Sequence, residues 1–269
     1  HEKSINCLSI SPDGTMLLSG GDDAKVIIWN LATGERMQEI ACIYSGQVAA
    51  VAWIKLADDG LAFVQGCADG SLHVHRRDHG APSLFEFCTL TNGHDGAVDD
   101  IDFDPNHGRL ATVGGGAPQI WNVSPAGVLT SLVPSPPRKD FVSRNIRFYD
   151  NGASVVIFYL ESHEIICYTI EPWVLKWSKA LPTRIGNISL TPDGQYLVVS
   201  NLTHGIDIYT FPALVRSQSL TYTIVNNVPV QVTTASQGSL IICGGGNGFA
   251  RVFERRTGQL LESLNHSGG

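Results

Sequence analysis

The chain has no apolar stretch approaching the ~20 residues that a membrane-spanning helix needs, so membrane insertion by a helix is not expected. No window of helical hydrophobic periodicity reaches ten residues, so helices are not its building element. An excess of positive charge is missing as well: 18 Lys and Arg face 25 Asp and Glu, a net −7 over 269 residues. Nucleic-acid binding driven by phosphate neutralisation is therefore not expected. The six cysteines (Cys7, Cys42, Cys67, Cys88, Cys167 and Cys243) include no CxxC pair, and most fall within or beside predicted strands. They read as small buried residues of a reducing compartment, which makes a cytoplasmic protein the expectation. Neither a signal-peptide pattern nor an initiator methionine stands at the start, so the sequence reads as a fragment, a processed product or a trimmed chain.

Signatures of catalysis are equally sparse. No serine sits in a Gly-x-Ser-x-Gly elbow, and no lysine or helix follows the run Gly244-Gly245-Gly246-Asn247-Gly248 as a phosphate loop requires. The best metal candidate is His73, His75 and His79, since positions 73 and 75 point to one side of a strand. Zinc needs three or four ligands at fixed distance, and the extra one would have to be Asp78, His79 or a residue from elsewhere. His75 instead has a simpler role as a hydrogen-bonding partner of Asp69. No metal, no cofactor and no enzymatic activity are expected.

What the sequence does contain is a period. A short turn ending in glycine recurs six times, at Gly14, Gly60, Gly108, Gly152, Gly194 and Gly238, spaced 42 to 48 residues apart. Fifteen residues after the glycine come Trp29, His75, Cys167, Tyr209 and Phe253; in the third unit the interval is thirteen, to Trp121. Such a period marks an array of one supersecondary unit. The first unit shows what that unit is: predicted strands at 5–10, 16–19, 25–31 and 36–41, joined by Pro12-Asp13-Gly14, Gly20–Ala24 and Thr33-Gly34. Four short strands with hairpin-length connections form one small antiparallel sheet, which must stack on neighbours to bury its faces. The units run approximately 1–43, 44–91, 92–135, 136–181, 182–224 and 225–269, read as a single domain.

The stretch Ser19-Gly20-Gly21-Asp22-Asp23-Ala24-Lys25-Val26-Ile27-Ile28-Trp29-Asn30 resembles the end of a WD40 repeat, with asparagine where aspartate usually stands. Gly93-His94 resembles that family's Gly-His dipeptide, and the Pro-Asp-Gly turns resemble its first hairpin. The resemblance covers essentially the whole chain and implies an all-β fold, a β-propeller of four-stranded antiparallel blades. Six blades are visible, and a seventh outside this sequence is compatible with the family's habit. The resemblance further implies a hydrogen-bonded set of His1, Ser19, Asp23 and Trp29 in the first unit. Elsewhere the set is degraded: Gln65, Asp69 and His75 in the second, His94 and Trp121 without an aspartate in the third, Cys243, Asn247 and Phe253 in the sixth.

The resemblance and the absence of assembled chemistry together point to a non-enzymatic scaffold that binds a protein or peptide on the propeller's narrow face. Two loop sets meet there. The loops leading into each first strand supply Lys3, Tyr44, Gln47, Asp95, Arg138, Lys139, Arg144, Arg184 and Asn226 at or near the strand starts. The turns between second and third strands supply Asp22, His163, His204 and Asn247. Residues 1–135 carry 7 basic and 16 acidic side chains, whereas residues 136–269 carry 11 and 9. An acidic or phosphorylated segment docking near Arg138, Lys139, Arg144 and Arg184 is the reading this asymmetry favours. The Pro-rich segment 134–139 is a stiff solvated loop or a contact site. A glycan- or small-molecule-binding propeller is the alternative; Tyr44 is read as having no aromatic counterpart in the other leading loops, which weighs against it. A propeller hydrolase ranks after that.

Overall fold

Gly14, Gly108, Gly152, Gly194 and Gly238 have φ between +61° and +81°, a region glycine enters without steric cost. At each, the chain reverses from the first to the second strand of a sheet. In the first turn the Asp13 carboxylate accepts hydrogen bonds from Ser11 Oγ, Thr15 Oγ1 and Thr15 N. Those donors, Ser11 first, hold its pKa down to about 2. Asp193 repeats the arrangement with Thr191 Oγ1 and Gln195 N.

The computed structural model describes residues 1–56, 60–77, 80, 84–133, 139–245 and 248–265. Among the described residues there are twenty-four strands in six four-stranded antiparallel sheets, each sheet ordered as its strands occur in the chain. The first holds β1 (Ile5–Ile10), β2 (Met16–Gly21), β3 (Lys25–Asn30) and β4 (Arg36–Ala41). The second holds β5 (Val48–Lys55), β6 (Leu61–Cys67), β7 (Ser71–Arg77) and β8 (Phe85–Asn92). In the third are β9 (Val98–Asp104), β10 (Arg109–Gly114), β11 (Gln119–Val123) and β12 (Leu129–Ser131). The fourth comprises β13 (Ser143–Tyr149), β14 (Ser154–Tyr159), β15 (Glu164–Thr169) and β16 (Val174–Ala180). Then follow β17 (Asn187–Leu190), β18 (Tyr196–Asn201), β19 (Gly205–Thr210) and β20 (Arg216–Thr221), and finally β21 (Val232–Ala235), β22 (Leu240–Cys243), β23 (Phe249–Glu254) and β24 (Leu260–Asn265). These are blades of a β-propeller; no helix among the described residues is long and apolar enough to cross a membrane. Trp29 and Trp121 lie in third strands, as the interval from the turn glycine predicts.

The repeat is visible in the register. Pairing between third and fourth strands slips by one residue at Trp29, His75, Tyr209 and Phe253, the same slot in four blades. Second strands run further than the turn chemistry predicts: β2 continues through Gly20 and Gly21 instead of stopping at Ser19. A Cβ on Gly20 would stand 2.7 Å from Cys7 Sγ and from Val48 Cγ1, and one on Gly66 would stand 2.5 Å from Val98 Cγ1. Both glycines therefore serve close approach to the first strand of the next blade, and neither is a turn residue.

The chain forms two compact units, one of His1–Ile157 with Ile166–Ser178, the other of Phe158–Ile165 with Lys179–Gly269. In the first, Leu18, Val26 and Ile28 pack on Val51, Trp53 and Phe63 of the next blade. Val64, Leu72 and Val74 pack in turn on Val98, Leu110 and Trp121. In the second unit Val198, Ile206 and Ile208 pack on Val232, Ile241 and Phe253. Polar side chains of the first strands add links to the following blade. Asn6 Nδ2 donates to Val48 O (3.2 Å), and Trp53 Nε1 donates back to Ser9 O (3.0 Å). Asp100 Oδ2 accepts from Asn145 Nδ2 and Ile146 N, both at 3.0 Å, and from Arg147; Asp102 Oδ2 accepts from Phe148 N at 2.7 Å. In the second unit Asn187 Oδ1 accepts from Val232 N (2.9 Å). In the pairs β1/β5, β9/β13 and β17/β21 the linked positions advance together along both strands, so the paired first strands run in the same direction.

Candidate functional site

Behind the leading loop of the first blade lies a continuous polar relay. Trp29 Nε1, which can only donate, gives its hydrogen bond to Ser19 Oγ at 2.8 Å. Ser19 Oγ is 2.8 Å from His1 Nε2, and His1 Nδ1 is 2.8 Å from Asp23 Oδ1. A single direction satisfies every atom: indole to hydroxyl, hydroxyl to imidazole, imidazole N–H to carboxylate. Glu2 N also donates to Asp23 (3.0 Å). The His1 and Asp23 side chains are only 1% and 4% exposed, so the leading segment is clamped and His1 is not frayed.

Later blades rebuild this relay from other residues. In the third, Trp121 Nε1 donates to Thr112 Oγ1 (3.0 Å), and His94 Nε2 lies 2.8 Å from the same oxygen. Threonine stands where Ser19 stands, and no carboxylate fills the aspartate position because Gly114-Gly115-Gly116 occupies that turn. Burial pushes the His94 pKa down to about 4. In the sixth, Tyr222 OH lies 3.2 Å from Cys243 Sγ, and its ring stacks on Phe253 beneath the Arg251 guanidinium. The fifth centres on Asp207, fully buried, which takes hydrogen bonds from Asn201 Nδ2 (2.9 Å), Ser219 Oγ and Thr183 Oγ1 (3.4 Å). His204 Nε2 faces the same carboxylate at 3.3 Å, so this turn histidine is directed inward. Thr112, Thr183, Asn201, Asp207 and Tyr222 were not anticipated from sequence. One signal was available for Thr183: it precedes its first strand by four residues, as His1 and His94 do.

The second blade departs furthest. Asp69 does not meet His75: its Oδ1 accepts from Ser71 N (2.9 Å) and Ser71 Oγ (2.6 Å). Ser71 Oγ then contacts His73 Nε2 at 2.9 Å. His75 instead stacks on Phe63, 4.9 Å between centroids, with both ring nitrogens buried and unpaired. Burial, reinforced by neighbouring His73, lowers its pKa to about 4. Asp78 and His79 lie outside the described residues, and no metal-holding group of three ligands occurs among those described.

The leading loops place the remaining candidates. In the first unit Lys3, Gln47 and Asp95 are exposed and Lys139 is half-buried. Asp22 accepts a hydrogen bond from Asn6 Nδ2 (2.8 Å). Arg144 is engaged by Asp99 at 2.8 Å, which accounts for its charge locally. Tyr44 is 97% exposed beside Ile43 at 67%. The leading loop of the fourth blade exposes Phe141 and Val142, so Tyr44 does have an aromatic counterpart. In the second unit Arg184 and Asn226 are exposed, and His163, at φ +60°, accepts Leu181 N through its carbonyl (2.9 Å). Asn226 borders a pocket with Val225, Val228, Tyr222 and Arg251. Arg138 and Asn247 lie outside the described residues, as does all of the Pro-rich segment 134–139 except Lys139.

Comparison with known proteins agrees with this geometry. Residues 1–30 and 86–122 match the family model described as WD domain, G-beta repeat, and both stretches carry a His–Ser/Thr–Trp relay. The Xenopus laevis ribosome biogenesis protein bop1-A is 35% identical over 35% of this chain and 12% of its own length. Protein HIR1 of Eremothecium gossypii is 23% identical over 75% of this chain and 28% of its length. Eukaryotic translation initiation factor 3 subunit I of Emericella nidulans is 28% identical over 42% of this chain and 31% of its length. The chain thus matches less than a third of the length of each of these relatives. The repeating blades, the relays and the two matched stretches support assignment to the WD40-repeat β-propeller family.

Proposed function

We propose that the protein is a non-enzymatic scaffold that docks a protein partner on the leading-loop end of its first unit. The observation that carries this is the exposure of Tyr44 and Ile43 in one leading loop and of Phe141 and Val142 in another, an aromatic and an aliphatic side chain in each. Large aromatic groups held out by a rigid framework are the usual anchors of protein interfaces. The clamped relay behind the first loop supplies such a framework. Relatives named for ribosome biogenesis and translation initiation support a role inside a large assembly.

Within this reading the anchor is apolar. Arg144 is already paired with Asp99, which weakens docking of an acidic or phosphorylated segment through that residue. The strongly acidic first half, 16 acidic against 7 basic residues, favours protein over RNA as the direct ligand. The test is affinity purification of the wild type and of Tyr44→Ala/Phe141→Ala, with and without ribonuclease. The double variant is expected to lose its main partner with the fold intact, and ribonuclease is expected to leave the wild-type capture unchanged. Retention of that partner by the variant would refute the proposal; loss on ribonuclease treatment would make RNA the bridging ligand.

A further inference from the structure

Two cysteine thiols share one amide partner beside the leading loop of the second blade. Cys42 directly follows β4 and is fixed through its backbone, its N–H donating to Ala24 O (2.7 Å) and its carbonyl accepting Ser45 N (3.0 Å). Cys67 ends β6, is fully buried, and its carbonyl accepts Gly70 N (3.1 Å). Both are free thiols. One amide nitrogen, Gln65 Nε2, touches both sulfurs, at 2.6 Å from Cys42 and 3.7 Å from Cys67. His73 Nε2 is held by Ser45 Oγ at 3.2 Å and Ser71 Oγ at 2.9 Å.

We infer that Cys42 and Cys67 form a peroxide-reactive thiol pair, in which Cys42 is oxidised first and Cys67 closes a disulfide. The asymmetry needed for this order is present. Cys42 is partly exposed, and the Cys67 thiol, His73 and Gln65 all stabilise its thiolate, lowering its pKa. Cys67 is held protonated by its hydrogen bond to Cys42 and by burial. The other four cysteines are shifted the opposite way by burial, Cys7 to about 12 and Cys167 to about 11, with Cys88 and Cys243 also raised. Thiolate character with access selects the reactive thiol.

The chemistry balances with hydrogen peroxide as oxidant. The Cys42 thiolate attacks one peroxide oxygen, the O–O bond breaks, and the leaving hydroxide takes from solvent the proton that Cys42 released on ionising, giving water and a sulfenic acid. The Cys67 sulfur then attacks the Cys42 sulfur, the S–O bond breaks, and the departing hydroxide takes the Cys67 proton as a second water. Two thiols lose two electrons and peroxide gains them.

The test treats the fully reduced protein with hydrogen peroxide and maps its peptides by mass spectrometry. The expected product is one cross-linked peptide pair containing Cys42 and Cys67. In Cys67→Ser a sulfenic acid trapped by dimedone should appear on Cys42, and in Cys42→Ser neither cross-link nor adduct should form at Cys67. Independently of either variant, iodoacetamide at pH 6 should label wild-type Cys42 at least about tenfold faster than the partly exposed Cys88. Equal labelling of the two, or oxidation that leaves Cys42 and Cys67 unlinked, would overturn the pair.

Discussion

Ser19 and Asp23 matter because of what each would strand if removed. Without Asp23 the His1 Nδ1 donor loses its acceptor in a nearly solvent-free site, and the Glu2 N–H loses its acceptor too. Asp23→Ala is expected to cost about 1–3 kcal/mol, read as a lowered melting temperature. A melting temperature equal to the wild type would mean the relay bears no load. His75 makes the opposite case. Its two ring nitrogens are buried without partners while its ring sits between Phe63 and Phe87. His75→Phe should therefore stabilise the protein by about 1 kcal/mol at neutral pH. The pH dependence has a defined sign. A histidine with a folded pKa near 4 against 6.5 unfolded loses stability as pH falls from about 6.5 through 4, because the unfolded chain takes up the proton first. His94 behaves the same way, and Asp102, raised by burial to about 6, opposes them. The gain from His75→Phe should consequently widen between pH 7 and pH 4.5 in thermal unfolding. A constant gain would show that His75 is charged or solvated in the fold.

At the level of strands, the repeat was legible because turn glycines and the slot fifteen residues later are fixed by local chemistry. That slot is where third and fourth strands slip in register at Trp29, His75, Tyr209 and Phe253. Extents and substituted relays were not legible. Gly20 reads locally as a turn residue, and only the approach of Val48 from the next blade shows why glycine continues the strand. His75 reads as a partner of Asp69, yet Ser71 takes that carboxylate because it is two residues away in the same turn. Asp207 carries no motif at all; its partners come from four separate positions, 183, 201, 204 and 219. The links between first strands also emerge only in three dimensions. Asp100 accepts from the amide side chain of Asn145, the backbone of Ile146 and the guanidinium of Arg147. Asp100→Ala is expected to destabilise by about 2–4 kcal/mol, whereas the exposed Glu35→Ala should stay within about 0.5 kcal/mol. Chemical denaturation of the two variants side by side checks this, and equal midpoints would contradict the role given to Asp100.

For the molecule as a whole, charge and hydrophobicity act at different places. The imbalance between halves is plain in the sequence, but its consequence for binding was not, since Arg144 is consumed by Asp99 within the first unit. What the sequence could not rank was exposure: Tyr44 and Phe141 are two of ten Phe and seven Tyr, and only the fold separates them from the buried Phe63 and Tyr209. The central claim is that partners approach the leading loops of the first unit. Its most direct test is site-specific photo-crosslinking, with a photoreactive amino acid at position 44 compared with the same residue at position 175. Leu175 is a fair comparator, 54% exposed on the outer strand β16 of that unit. The account predicts a discrete covalent partner from position 44 and background from position 175. Capture from position 175 with none from position 44 would contradict it.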